Sequence, residues 1–205
     1  MGGGQDRNAG PDTPREDDQE AGVMSAKPIL GQTAEIAGPK KAFLIPKPEV
    51  AASMVKRAKR PLLVVGSNAG KIRTKDGDLI DFAIRALKTG KVTVVATGHL
   101  IKEFRDRNAG GVHSMHLMNL GDRLRDPDWK GLGGEGPYDL AVFVGFPYYM
   151  EWLVLSGLKS FAQDLRTMSL DNSYQPNASW SLGAMLEDDW EEVLDVIVSN
   201  IEEGA

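Results

Sequence analysis

The chain has 205 residues, 41% of them hydrophobic and 26% charged, so it can bury one core of ordinary size. Its net charge of −5 argues against non-specific binding to nucleic acid. The absence of cysteine excludes disulfides, thiol nucleophiles and cysteine-ligated zinc or iron–sulfur sites in this chain.

The N-terminal stretch predicts a disordered tail. Residues 1–40 contain seven glycines, four prolines and no aromatic residue, so they offer too little apolar area to offset the entropy cost of ordering. We expect this tail at residues 1–40 and a single α/β/α domain at residues 41–205. Met24 is a candidate alternative start. Without an apolar signal segment or a run near the ~20 residues of a membrane span, we expect a cytoplasmic protein with no membrane partner.

The first regular elements are a helix and a buried strand. Pro46–Lys59 predicts a helix, because its prolines stand near the start and its apolar residues share one face. Residues 61–65 then form an unbroken apolar run, PLLVV, that ends at Gly66. Such a run is typical of a strand covered on both faces in a parallel sheet.

The rest of the chain repeats this alternation. Strand, helix and strand in succession predict a right-handed parallel crossover and a mostly parallel α/β sheet. Ser179–Met185 gives no clear pattern. The predicted strands are Val92–Ala96, Asp139–Gly145 and Thr167–Leu170, and the predicted helices are Asp76–Lys88, Leu100–Arg107, Val112–Leu120, Tyr148–Phe161 and Glu187–Ile201.

Small residues follow four predicted strands, at Gly66–Asn68, Thr97–His99, Gly145–Phe146 and Asp171–Ser173. They could cradle a nucleotide through backbone N–H groups, although tight turns need the same residues. GSNAGK at Gly66–Lys71 is one residue short of a phosphate-binding P-loop, and Ile72 stands where that motif needs Ser or Thr. No G-x-G-x-x-G occurs either. The candidate cofactor-binding residues are Gly66, Ser67, Asn68, Thr97, Gly98, His99, Gly145 and Phe146.

Metal and catalytic sites find little support in the sequence. His113 and His116 could share one helix face, but a metal site would need a third ligand, so we expect none. No Ser/His/Asp set can be assembled, so we predict no catalytic residues.

Two stretches are candidates for a protein interface. Gly121–Tyr138 is an irregular segment that is long for a loop in one domain, so it is functional or held by a partner. The aromatic residues after the strand at Asp139–Gly145 could belong to the core or to an interface. The candidate interface residues are Asp126, Pro127, Trp129, Leu132, Tyr148, Tyr149 and Trp152.

Three segments resemble a known family: AASMVKRAKRPLLVVG from Ala51, DPDWKGLGGEGPYDLAVFVG from Asp126 and MSLDNSYQPNASWSLG from Met168. The family is that of the epsilon subunits of the archaeal acetyl-CoA decarbonylase/synthase complex, accessory subunits of its carbon monoxide dehydrogenase component. The similarity runs from about Ala51 to the C-terminus. The long N-terminal stretch and the turn GSNAGKIRTKDGD depart from the family pattern.

The resemblance implies a three-layer α/β/α fold, Rossmann-like and of the deoxyhypusine synthase-like type that binds NAD or FAD. It implies a large catalytic subunit as partner, in an assembly of two large and two small subunits. The leading hypothesis is therefore a non-catalytic subunit that stabilises the large subunit and could assist electron transfer to FAD during CO oxidation. The alternative is a stand-alone nucleotide- or flavin-binding module, because the sheet segments also resemble the middle domain of thiamine-diphosphate enzymes.

Overall fold

The computed structural model describes Met1 and residues 40–204. The expected tail and the candidate start at Met24 therefore lie almost entirely outside the described residues. Within them, no helix has the length and apolar character needed to cross a membrane.

Seven parallel strands form the central sheet, in the order β1-β9-β8-β7-β2-β5-β6. A separate two-stranded antiparallel hairpin, β3–β4, precedes the second helix. The strands are β1 Phe43–Leu44, β2 Pro61–Val65, β3 Arg73–Thr74, β4 Gly77–Asp78, β5 Thr93–Ala96, β6 His113–Ser114, β7 Leu140–Val144, β8 Arg166–Ser169 and β9 Trp180–Ser181.

Helices cover both faces of this sheet, which makes the three-layer α/β/α fold that the sequence predicted. Alternate residues of β2 divide between the layers: Leu63 and Val65 pack with α1, α2, α3 and α6, whereas Leu62 and Val64 pack with α4 and α5. The helices are α1 Pro48–Arg57, α2 Leu79–Lys88, α3 Ile101–Asp106, α4 Leu117–Leu124, α5 Tyr148–Phe161 and α6 Glu187–Glu202.

The prediction at Val112–Leu120 was wrong in part. His113–Ser114 forms the edge strand β6, paired with Val95 and Ala96 of β5, and α4 begins only at Leu117. His113 therefore lies on a strand and His116 precedes the helix, so the two do not share a helix face. The described residues contain no group of three or more His, Cys, Asp or Glu side chains suited to a metal ion.

The register brings the carboxyl ends of the central strands together at one edge of the sheet. Val65 of β2 lies beside Ala96 of β5 and Val144 of β7, and Phe143 lies beside Ser169 of β8. The loops that follow these four strands are therefore neighbours, and this edge is where ligands of open α/β sheets bind.

Candidate functional site

The loops after β2 and β7 pack directly against each other. Gly66 donates its amide to the Val144 carbonyl at 2.8 Å, and Asn68 donates to the Gly145 carbonyl at 2.9 Å. A Cβ on Gly66 would lie 2.2 Å from the Gly145 carbonyl oxygen. Gly66 is thus required for this backbone contact. Gly145 has a φ of +79°, a conformation that favours glycine.

A cleft of about 420 Å³ opens at this edge, between the loops after β2, β7 and β8 and the start of α6. Buried Glu151, Asp171 and Gln175 form its floor. We call it the strand-end cleft. Its walls and rim include Asn68, Lys71, Phe146, Tyr148, Glu187 and Trp190.

Only some of the predicted cofactor-binding residues line the cleft. Asn68 and Phe146 line it. Thr97 is buried and donates its hydroxyl to the Val65 carbonyl at 2.8 Å. Gly98 and His99 are exposed in the turn after β5 and do not line the cleft. The loops after the four strands therefore lie together, but the cleft is lined by the loops after β2, β7 and β8 and not by the loop after β5.

Two buried carboxyl groups meet at the floor. Asp171 accepts hydrogen bonds from the Gly145 amide at 2.6 Å and the Phe146 amide at 3.1 Å. Burial and the negative charge of Asp171 raise the pKa of Glu151 well above its usual value. Burial also raises the pKa of Asp171, although hydrogen bonds from Glu151 and the two amides oppose that rise. Burial and the neighbouring carboxyl therefore favour the protonated form of Glu151 beside Asp171.

Gln175 completes the floor. Its side-chain nitrogen donates to the Tyr148 carbonyl and to Glu151 Oε2, both at 3.1 Å. These two bonds use both N–H groups and fix the orientation of the amide. Its Oε1 atom is buried and has no hydrogen-bond partner within the described part of the chain.

Sequence analysis missed Glu151, Gln175 and Trp190 as site residues. For Glu151 a signal existed: it stands four residues before Leu155 and seven before Leu158, on the buried side of an otherwise apolar helix. A lone acid at such a position points to a special environment. No comparable signal marks Gln175, which follows the strand in an irregular loop.

A second feature lies on the outer surface of the layer formed by α4 and α5. Several large apolar residues there are exposed, with Tyr149 at 71% and Phe161 at 67% of their full accessible area. At 100° per residue, the exposed positions of α5 fall within about 120° of one helix face. We call this surface the α4–α5 face; its residues are Met118, Tyr149, Met150, Leu153 and Phe161.

The predicted interface residues divide between this face and the interior. Tyr149 lies on the α4–α5 face, whereas Tyr148 lines the strand-end cleft and Trp152 is half-buried. Trp129 is also half-buried and packs 5.8 Å from the Tyr138 ring. Leu132 packs against the buried residues of the core that contains Tyr138.

The irregular segment joins the α4–α5 face. The predicted irregular segment was wrong at its start, because residues 121–124 belong to α4. The irregular chain begins after that helix, where Asp126 and Pro127 are exposed. The guanidinium of Arg125, the residue just before them, lies over the Phe161 ring at 5.7 Å from the ring centroid.

Comparisons with known proteins identify the family of this chain. Residues 22–198 match the profile of a family described as CO dehydrogenase beta subunit/acetyl-CoA synthase epsilon subunit. The acetyl-CoA decarbonylase/synthase complex subunit epsilon of Methanothrix soehngenii is 36% identical over 184 residues, covering 87% of this chain and 94% of the relative. The protein of that name from Methanothermobacter thermautotrophicus is 34% identical over 170 residues, covering 82% of this chain and 93% of the relative. The chain belongs to the family of acetyl-CoA decarbonylase/synthase epsilon subunits.

Proposed function

We propose that this chain is an accessory subunit that docks on the large catalytic subunit of a carbon monoxide dehydrogenase component and stabilises it. The observation that carries the proposal is the α4–α5 face. Five of the nine exposed large apolar residues of the described chain lie on these two helices. Several large apolar side chains exposed on one helix face are typical of a protein interaction site.

The chemistry of the face suits a protein partner better than a small ligand. Met and aromatic side chains dominate it, and these residue types are enriched in interface cores. Its described ion pair, Arg125 with Asp122, lies beside the apolar residues. We therefore place the interface at the α4–α5 face and the adjoining segment Asp126–Leu132.

The test is association of the full chain with the large subunit. Leu153→Asp puts a charge at the middle of the face, where the side chain is 51% exposed, so folding should be unaffected. We expect co-purification to fall at least about 30-fold, the equivalent of about 2 kcal/mol for a central interface residue.

Leu186→Asp is the matched control, because Leu186 is 67% exposed at the start of α6, away from the face. Full association of Leu153→Asp, or a loss confined to Leu186→Asp, would move the interface off α5. Trp129→Ala should also weaken association, but it removes packing against Tyr138 as well, so its melting temperature has to be measured alongside.

Electron transfer to FAD is a second candidate role, suggested by the family resemblance. Gln175 Oε1, which has no partner among the described residues, could accept a hydrogen bond from an N–H group of a flavin ring. The diphosphate does not fit the cleft, because Lys71 is the one cation among the lining residues and Glu151, Asp171 and Glu187 are acids. Titrating the protein with FAD and following flavin fluorescence tests this role: saturable binding would support it, and no binding at high micromolar FAD would contradict it.

A further inference from the structure

Two carboxyl side chains lie at the floor of the strand-end cleft without a basic partner. Glu151 is fully buried and Asp171 is 6% exposed, and neither forms an ion pair with a Lys or Arg of the described chain. Lys71 lines the cleft but is itself exposed. Keeping two carboxyls together in a low-dielectric site is unfavourable unless one of them stays protonated or a cation binds.

An independent observation at the same floor also indicates a missing donor. Gln175 is fully buried, and its Oε1 has no partner among the described residues. A buried acceptor without a hydrogen bond costs about 1–3 kcal/mol. Gln175 lines the cleft, so a ligand N–H group that inserts between the floor side chains would supply the missing donor.

The walls define the rest of the ligand. Phe146, Tyr148 and Trp190 surround the floor, and aromatic rings attract organic cations through their faces. The volume of about 420 Å³ has room for an apolar body as well as a charged group. Anionic ligands are disfavoured, because their charge would meet the carboxyl pair.

We propose that the strand-end cleft binds a primary ammonium ion carried on an apolar or aromatic body, and that binding releases the proton shared by Glu151 and Asp171. No covalent bond changes in this step. The ammonium keeps its three protons, the Glu151 carboxylic acid becomes a carboxylate, and the released proton goes to solvent. This role goes beyond docking on the large subunit and does not depend on it.

The other titratable groups that line the cleft are Lys71, Tyr148 and Glu187. Lys71 and Glu187 are exposed at the rim of the cleft, whereas Glu151 and Asp171 are buried. Proton release on binding at neutral pH therefore has one source in the cleft, the Glu151–Asp171 pair.

Calorimetric titration of the full chain with benzylammonium tests the proposal, and benzyl alcohol serves as the uncharged probe of the same shape. Repeating the titration in buffers with different ionisation enthalpies counts the protons released. We expect about one proton per bound benzylammonium, and an affinity that rises by up to about tenfold per pH unit around neutrality.

Two variants locate the source of the proton. Glu151→Gln keeps the shape of the side chain, and should abolish proton release and weaken binding about tenfold or more at slightly alkaline pH. Asp188→Asn removes one negative charge from the exposed first turn of α6, outside the residues that line the cleft, and should leave proton release intact.

Several results would overturn the proposal: no benzylammonium binding at millimolar concentrations, equal binding of benzyl alcohol, or undiminished proton release in Glu151→Gln. If Glu151→Gln does not fold, the proton count on the unmodified chain still decides, because binding without proton release contradicts the mechanism.

Discussion

At the scale of single residues, Glu151 and Asp171 make stability depend on pH. Below the ordinary carboxyl pKa of about 4.3, the folded and the unfolded chain both hold the Glu151 proton. As the pH rises, the unfolded chain releases this proton, whereas the folded chain keeps it because burial and Asp171 raise the pKa of Glu151. The folded state then binds more protons, so its stability falls with increasing pH.

Glu151→Gln should remove this dependence. We expect the free energy of unfolding of the variant, relative to the unmodified chain, to be higher at about pH 8 than at about pH 5. Urea denaturation at both pH values measures the difference. The same comparison for Glu187→Gln, at an exposed position, should show no such trend. A parallel pH profile for Glu151→Gln would mean that Glu151 is ionised in the folded chain.

Gly66 allows a second residue-scale prediction. Gly66→Ala would place a Cβ 2.2 Å from the Gly145 carbonyl oxygen and 2.6 Å from Phe146 Cγ. Because the first obstacle is backbone, we expect a loss of about 1–3 kcal/mol in unfolding free energy. Gly110→Ala is the control, since nothing lies within 4 Å of its Cβ position. Unchanged stability of Gly66→Ala would show that this glycine does not serve packing.

These residues also mark how far single positions can be predicted from the sequence. A glycine after an apolar strand signals a turn, so Gly66 and Gly145 could be placed at the strand ends. Such a glycine can make room either for a ligand or for a neighbouring loop. Which of these applies depends on the loop that lies opposite, and that loop is distant in the sequence. The pairing of Glu151 with Asp171, twenty positions apart, is hidden from sequence reasoning for the same reason.

At the scale of elements, the start of α2 shows local chemistry overriding a periodic pattern. The pattern predicted a helix from Asp76, but Gly77–Asp78 pairs with Arg73–Thr74 in the hairpin. Asp78 then caps α2, because its Oδ1 accepts from the Ile80 amide at 2.9 Å and the Asp81 amide at 3.1 Å. Arg107 also contacts the Asp78 carboxylate, at 2.6 Å.

Asp78→Ala should therefore destabilise the chain by about 2 kcal/mol, the upper range for loss of an N-cap. Burial alone would raise the pKa of Asp78, but hydrogen bonds with Arg107 and the backbone lower it overall. The Asp78 carboxylate should therefore stabilise the folded chain fully above the usual Asp pKa. This stabilisation should be lost as the pH falls through the lowered pKa of Asp78 in the folded chain.

Thermal and urea unfolding measure the effect of Asp78→Ala. Asp188→Ala is the control, because Asp188 lies in the first turn of α6, whose N-cap makes no side-chain hydrogen bond. Equal losses for the two variants would show that capping by Asp78 contributes little.

At the scale of the whole molecule, the buried strands and the long helices could be predicted, and three two-residue strands near the ends of the sheet could not. The central strands β2, β5 and β7 can be recognised in the sequence as apolar runs, because helices cover them on both sides. β1, β6 and β9 have two residues each, which is too short for any periodicity. Their pairing follows from the sheet order and not from their own composition.

The layered arrangement also gives a prediction for the assembled complex. Docking through the α4–α5 face should slow amide hydrogen exchange in α5 and in the segment Asp126–Leu132, because a bound partner suppresses local opening. The helices α1 and α6 lie on the other side of the sheet and should be unaffected. Exchange measured by mass spectrometry, with and without the large subunit, tests this; protection that appears only on α1 and α6 would place the partner on the opposite layer.

One helix serves both surfaces, and this fixes the length of the connection that leads into it. In α5, Glu151 points to the strand-end cleft while Tyr149, Met150 and Leu153 point outward. Removing or adding one residue between Gly145 and Tyr148 would turn the helix by about 100° relative to the sheet. A methionine or a tryptophan would then take the place of the acid, and the apolar face would turn away from its partner. The length of the loop before α5 is therefore constrained, because a single insertion there would displace the cleft residue and the outward apolar face together.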